Sequence, residues 1–352
     1  MSHLSLLLGL LIISFLLNSF LFIPYINLLY KIKFQRQEQK TKDAFGILTP
    51  IFDRFHKKKA GVPVGGGLLI VASTLILYVV TFVALYYLQE WYSITSLYRL
   101  KIMEEIKIVL FTFISFAIIG FYDDFRKTFV PKGDDFFGLR LRHKLILELV
   151  VAAISAYWLY SLLDISFIYI PLVGWRLAMG FWYVPFAMFV ILAFANAFNI
   201  TDGLDGLASG ILVIALIAFW VISAEVLDTP LAVFIPILLG GLIAFLYFNV
   251  YPARIILGDV GALSFGATFA IIGLILGKPF ALVIMGGLFV VEAATSLLQL
   301  TWKRFRRHKL MPVAPLHLYL QYLGWEEPKI VLRLWLVGIM LAVFGLWLSF
   351  LQ

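Results

Sequence analysis

The chain of 352 residues contains no cysteine, so it can hold no disulfide framework, no thiolate metal site and no cysteine nucleophile. Charge is scarce as well: 14% of residues are charged and 62% are apolar, whereas a soluble globular protein carries about 25% charged residues. That composition leaves too little polar surface to clothe a water-soluble particle. Also missing are the GxxxxGK and GxGxxG glycine loops, the G-x-S-x-G elbow and the H-E-x-x-H zinc pattern, which removes the usual soluble nucleotide folds, serine hydrolases and zinc proteases. The formal net charge of +8 could suggest nucleic acid, but no soluble module presents the basic residues and no nucleic-acid partner is expected.

What is present is a series of apolar runs, each about long enough to cross the hydrocarbon core of a bilayer. Ten can be read, at residues 4–30, 64–88, 106–122, 145–163, 178–199, 207–224, 230–248, 260–277, 280–300 and 330–351. The first has only His3 before it, without the basic n-region and cleavage site of a signal peptide, and is read as a membrane helix. The expected fold is therefore all-α: a polytopic integral membrane protein of about ten transmembrane helices. No repeat or low-complexity linker divides it, so residues 1–352 are read as a single transmembrane domain.

The basic residues set the orientation. Of the 28 Lys and Arg, 23 fall in or beside the odd-numbered connections, leaving Arg99, Lys101, Lys107, Arg176 and Lys278 for the other side. The positive-inside rule puts the odd connections in the cytoplasm and both termini outside. The cytoplasmic loops then lie at about 31–63, 123–144, 200–206, 249–259 and 301–329.

Three aspartate clusters border the apolar segments on that same side: Asp123 and Asp124 after IIGFY, Asp202 and Asp205 in NAFNITDGLDGLA, and Asp259 in RIILGDVGALSFG. Ionisable groups at membrane depth cost several kcal/mol unless paired, hydrated or metal-bound, and so point to function. Adjacent carboxylates repel unless a cation or proton intervenes. Oxygen donors without Cys or clustered His favour Mg²⁺, with Mn²⁺ next, and Mg²⁺ is commonly held by one or two carboxylates together with substrate phosphates. Lys127 and Lys144 place positive charge beside such an assembly. In NAFNITDGLDGLA, the polar groups of Asn196, Asn199 and Thr201 and the turn permitted by Gly203 and Gly206 suit an anion or base edge.

These motifs resemble the polyprenyl-phosphate N-acetylhexosamine-1-phosphate transferase superfamily. The resemblance is carried by DDFRK at 123–127, NAFNITDGLDGLA at 196–208, NVYPARIILGDVG at 249–261 and APLHLYLQYLGW at 314–325. KKAGVPVGGG at 58–67 and GWEEPKIVLRLW at 324–335 are most similar to its muramoyl-pentapeptide branch, within glycosyltransferase family 4. The resemblance implies a bacterial-type plasma (inner) membrane, a UDP-N-acetylmuramoyl-pentapeptide donor, undecaprenyl phosphate as acceptor, lipid I and UMP as products, and Mg²⁺ as cofactor. It leaves a homodimer open. Residue by residue, it implies that Asp259 is the magnesium ligand, that Asp123 and Asp124 meet the lipid phosphate, and that Lys144, Asp202 and Asn249 belong to the same active site. Asn199, Leu204 and Asp205 match positions near the nucleotide, Lys59 a basic residue at the nucleotide pocket, and His317 a catalytic histidine of the last loop.

Three departures bear on the donor. The family's run of three histidines is here His317, Leu318 and Tyr319; its uracil-stacking aromatic is Ile256; and its threonine-rich stretch reads Gly61, Val62, Pro63, Val64, Gly65. A UDP-N-acetylglucosamine:polyprenyl-phosphate transferase is thus an alternative with the same chemistry. A secondary transporter, with acids at the membrane midplane and inverted repeats, is an alternative of another class.

Overall fold

The computed structural model describes residues 3–37, 57–87, 96–129, 141–226 and 228–351, together with positions 49, 51, 53, 55 and 139. Within them the chain folds almost wholly as helix. In order these are α1 (His3–Lys31), α2 (Gly66–Tyr87), α3 (Ser96–Phe129), α4 (Leu141–Ser161), α5 (Tyr183–Thr201), α6 (Leu207–Glu225), α7 (Thr229–Asn249), α8 (Gly258–Ile275), α9 (Pro279–Met285), α10 (Gly287–Arg306), α11 (Leu316–Tyr322) and α12 (Glu327–Phe350). Helices dominate because hydrocarbon offers no partner for backbone N–H and C=O groups, which a helix satisfies within itself. Local signals mark the ends: α7 opens on Asp228, whose carboxylate accepts the Leu231 N–H at 3.1 Å, with a proline in the first turn.

All ten apolar segments are helical. Among the described residues, eight helices are long and apolar enough to span a membrane, and the bent pair α9 and α10 brings the number to nine. The remaining segment, 106–122, is the apolar middle of α3, whose 34 residues extend about 50 Å at 1.5 Å per residue and overrun the membrane. Asp123, Asp124 and Lys127 therefore sit on the last turns of a helix rather than in a loop, and Lys144 lies on the first turn of α4. Residues 130–138, in the middle of that expected loop, lie outside the described residues.

Two features differ from the sequence reading. The ninth segment is not one straight span: it breaks at Gly286 with a bend of 75°. A side chain at Gly286 would collide with the Phe194 ring and the Leu282 carbonyl, so the absence of a Cβ is what lets the break pack closely against α5. Past the break, α10 is amphipathic and ends on Lys303, Arg304 and Arg306. The connection between α4 and α5 carries a short hairpin that the sequence reading did not foresee, in which Phe167–Ile170 (β1) pairs antiparallel with Trp175–Ala178 (β2).

An inner and an outer ring are distinguishable by burial. In α8, 89% of the apolar window is buried and in α7 83%, against 22% in α1 and 28% in α2. The outer helices keep apolar residues such as Phe20, Ile76 and Met340 exposed, as lipid contact requires. α8 is the hub, packed against α2, α3 and α5. Buried hydroxyls link the inner helices: Ser264 Oγ donates to the Phe113 carbonyl at 2.7 Å, and Thr112 pairs with Ser155 at 2.8 Å. At Gly120 of α3 a side chain would overlap the Asp259 backbone. This glycine lets α3 reach the start of α8. The C-terminal ends of α3, α5 and α7 and the N-terminal ends of α2, α4, α6, α8 and α12 thereby meet at one end of the bundle, and every candidate site residue is there.

Candidate active site

Four side chains from three helices form the centre. Asp123 and Lys127, one turn apart on α3, face Lys144 of α4 and Asp259 of α8. Asp123 Oδ2 lies 3.0 Å from Lys127 Nζ and 3.1 Å from Lys144 Nζ; Asp259 Oδ2 accepts from Lys127 at 2.9 Å and also from Lys144. Two carboxylates thus share two ammonium groups. Asp123 Oδ1 also accepts the Leu139 N–H at 2.7 Å.

Asp124 turns the other way. Its Oδ2 accepts the Val260 N–H at 3.1 Å, one of the orphan donors in the first turn of α8. Leu257, at the N-cap position, has no side chain able to do this, so the cap comes from a neighbouring helix, and the carboxylate also meets the positive end of the α8 dipole. Gly258, at φ +81°, adopts a left-handed conformation, and a Cβ there would come within 2.6 Å of Asp124 Oδ2. The repulsion foreseen between the adjacent aspartates is therefore relieved separately: lysines compensate Asp123, and a helix terminus compensates Asp124.

A second network lies behind the loop joining α5 and α6. Lys59 Nζ donates to Asp205 Oδ1 and Glu327 Oε1, both at 2.7 Å, and to the Gly203 carbonyl at 3.1 Å. Asp205 Oδ2 accepts the Ala253 N–H at 3.0 Å, and the Asp205 N–H donates to Glu327 at 2.6 Å. Asn249 completes the support: its Oδ1 accepts the Gly206 N–H at 3.0 Å, while its Nδ2 donates to the Ile255 carbonyl at 2.9 Å. Leu204 is buried in the hydrophobic core.

His317 of α11 is 1% exposed and is held by Glu292 of α10, also 1% exposed. Its Nδ1 lies 2.9 Å from Glu292 Oε2, and its backbone N–H donates to Glu292 Oε1 at 3.2 Å. With Nδ1–H donated to the carboxylate, Nε2 is the nitrogen left to act, and it packs against Gly203. Glu292 was missed from sequence, as was Glu148 of α4, which is fully buried and accepts from Asn196 Nδ2 at 2.7 Å. The signal was there: each is a lone glutamate within an apolar run.

These elements surround a cavity of about 400 Å³ lined by Asp124, Lys127, Asn199, Asp202, Asp259 and His317, with Ile256 and Leu318 as apolar wall. Asp123 and Lys144 stand just behind, bonded to Asp259 and Lys127. Lys59, Leu204, Asp205 and Asn249 do not line it. Burial pushes the Asp202 carboxyl up to about 7, against the opposing pull of Lys59 and Arg36. Among the described residues no three His, Asp or Glu side chains converge as a ready-made metal cage. Asp259, one of three carboxylates at the wall with Asp124 and Asp202, nonetheless fits a hard cation that takes its remaining oxygens from substrate phosphates.

Lysines and carboxylates thus gather at one end of the bundle around a cavity lined in part by polar side chains, a combination suited to binding phosphate esters. Residues 106–277 match the model of glycosyl transferase family 4, and the chain belongs to that family of sugar-phosphate transferases. It is 36% identical over 311 residues, 83% of both chains, to a phospho-N-acetylmuramoyl-pentapeptide-transferase of Borrelia turicatae (strain 91E135). The protein of the same name from Borrelia hermsii (strain HS1 / DAH) is 35% identical over the same length. That of Clostridium perfringens (strain 13 / Type A) is 33% identical over 325 residues, 91% of each chain.

Proposed function

We propose that this protein transfers phospho-N-acetylmuramoyl-pentapeptide from its UDP donor to undecaprenyl phosphate, giving lipid I and UMP. A single domain of residues 1–352 does so at the cytoplasmic face of a bacterial plasma membrane. The observation that carries the reading is the quartet of Asp123, Lys127, Lys144 and Asp259, of which Lys127 and Asp259 line the cavity and Asp123 and Lys144 stand just behind it, on the Lys- and Arg-rich side. A lipid-phosphate oxygen bonds to the phosphorus that bears the sugar, and the bond from that phosphorus to the UMP oxygen breaks. Lys127 and Lys144 offset the charge that develops on the phosphoryl oxygens, as such reactions chiefly require. Magnesium held by Asp259 would act there as a Lewis acid. Because a phosphate monoester has a second pKa near 6, the acceptor needs little deprotonation, and Asp123 serves to hold the two lysines. Nε2 of His317, aimed by Glu292, reaches the nucleotide end beside Asn199 and Asp202.

A second reading keeps this chemistry with a UDP-N-acetylhexosamine donor; Ile256, Leu318 and Tyr319 favour it. A transporter is disfavoured because the acids gather at one membrane face. Purified protein given Mg²⁺, undecaprenyl phosphate and each labelled donor in turn should form a radiolabelled lipid with UMP release from the muramoyl-pentapeptide donor. Product from UDP-N-acetylglucosamine alone would select the second reading.

A further inference from the structure

Among the described residues, the cavity has one cationic wall residue that the quartet does not involve. Residues 34–37 run beside 61–64: the Arg36 N–H donates to the Val62 carbonyl at 2.9 Å, the Gly61 N–H to the Arg36 carbonyl at 2.8 Å, and the Val64 N–H to the Phe34 carbonyl at 3.1 Å. The second segment is joined in turn to the approach to α8, with the Ile256 N–H donating to the Pro63 carbonyl at 2.8 Å. Phe34 is buried against Phe129, and Gln37 Nε2 donates to the Thr128 carbonyl at 3.1 Å. Arg36 is thus fixed on both sides by a three-segment ribbon tied to the end of α3, and it lines the same cavity as Lys127, Asp202 and Asp259.

Its charge differs from the others in being uncommitted. Lys59, Lys127 and Lys144 each contact two carboxylates. Among the described residues Arg36 has no carboxylate within ion-pair distance; burial lowers its pKa, and Asp202, Asp205 and Asp259 oppose that through space. A guanidinium stays charged and presents a planar fork of donors that matches phosphate oxygens two at a time. A backbone already ordered around it makes that contact with little further loss of freedom.

We infer that Arg36 is a phosphate-binding residue of the reaction, its guanidinium taking the non-bridging oxygens of either the donor diphosphate or the acceptor monophosphate. This rests on the transferase reading, which wild-type turnover tests first: no product from any UDP-sugar would remove that reading and this inference with it. With an active wild type, R36Q and R36K are each assayed for the KM of the UDP donor at saturating lipid phosphate and of the lipid phosphate at saturating donor, with thermal melting in the same detergent. The expected result is a KM raised tenfold or more for one substrate in R36Q, with partial recovery in R36K and unchanged melting. A rise in donor KM assigns the diphosphate; a rise in acceptor KM assigns the lipid phosphate. Both KM values within twofold of wild type would overturn the assignment, and R36K gives the same KM test if R36Q does not fold.

Discussion

Two lysine–carboxylate networks occupy the same end of the bundle and differ in what surrounds them. In the Lys59, Asp205 and Glu327 network the three side chains are 11%, 8% and 11% exposed, and backbone N–H groups of Asp205 and Ala253 take up carboxylate oxygens. In the other, Lys127 is 30% exposed and Asp259 14%, beside a cavity. In the first network all three Lys59 donors and both Asp205 carboxylate oxygens are engaged from within, which ties Lys59, the loop between α5 and α6, and α12 together. The second balances its charges only among its own members and opens onto space that a phosphorylated ligand can enter. Identical residue types thus form a closed scaffold in one place and border an open cavity in another.

Breaking the open network should remove activity first. Asp259→Asn should lower transfer by about 10³-fold or more, the scale seen when a principal electrostatic group is lost, while the protein still melts cooperatively; turnover near wild type would exclude Asp259 as the metal ligand. His317→Ala should cost about 10²-fold in kcat. Glu292→Gln, which keeps an oxygen acceptor for Nδ1–H but removes the negative charge beside the imidazole, should cost less and shift the pH–rate profile, and a profile identical to wild type would dissociate the pair.

Breaking the sealed network should remove stability instead. Lys59→Met leaves two buried carboxylates without their cation and should destabilise by about 3–5 kcal/mol, read as a fall in melting temperature far larger than any change in KM of the surviving enzyme. A donor KM raised at unchanged stability would move Lys59 into the working site. Asp124→Ala removes a helix cap and should cost about 1–2 kcal/mol, with Asp124→Asn retaining part of it in thermal melts.

The smallest effect is a pH dependence. Because the folded-state Asp202 carboxyl is raised to about 7 from an ordinary 3.8, the folded protein binds the extra proton between those values, and stability falls as pH rises through that window. Asp202→Asn should therefore gain stability relative to wild type from pH 4 to 7 and stay level above. A difference independent of pH would show that Asp202 ionises normally.

Much of the fold was legible because the bilayer imposes a one-dimensional rule: apolar length reports spans, and the Lys and Arg bias reports sides. Asp123 and Asp259 could be picked out because polar groups stand out in apolar surroundings, whereas His317 was picked out only through the family resemblance of its motif. The same rule marks Glu148 and Glu292, which went unrecognised while attention was on the aspartate clusters. The break at Gly286 was hidden because glycine within an apolar run is equally compatible with a straight, closely packed helix.

By itself the sequence determined the helices and the residue types available for phosphate chemistry, since each depends on local hydropathy and charge. Only the tertiary structure decided which charges meet. Asp124 becomes the cap of a helix 136 positions further on, Lys59 is enclosed by Asp205 and Glu327, and Arg36 is left facing the cavity. Burial and pairing depend on distances between segments far apart in the chain, and those distances are set by packing, which no local pattern records.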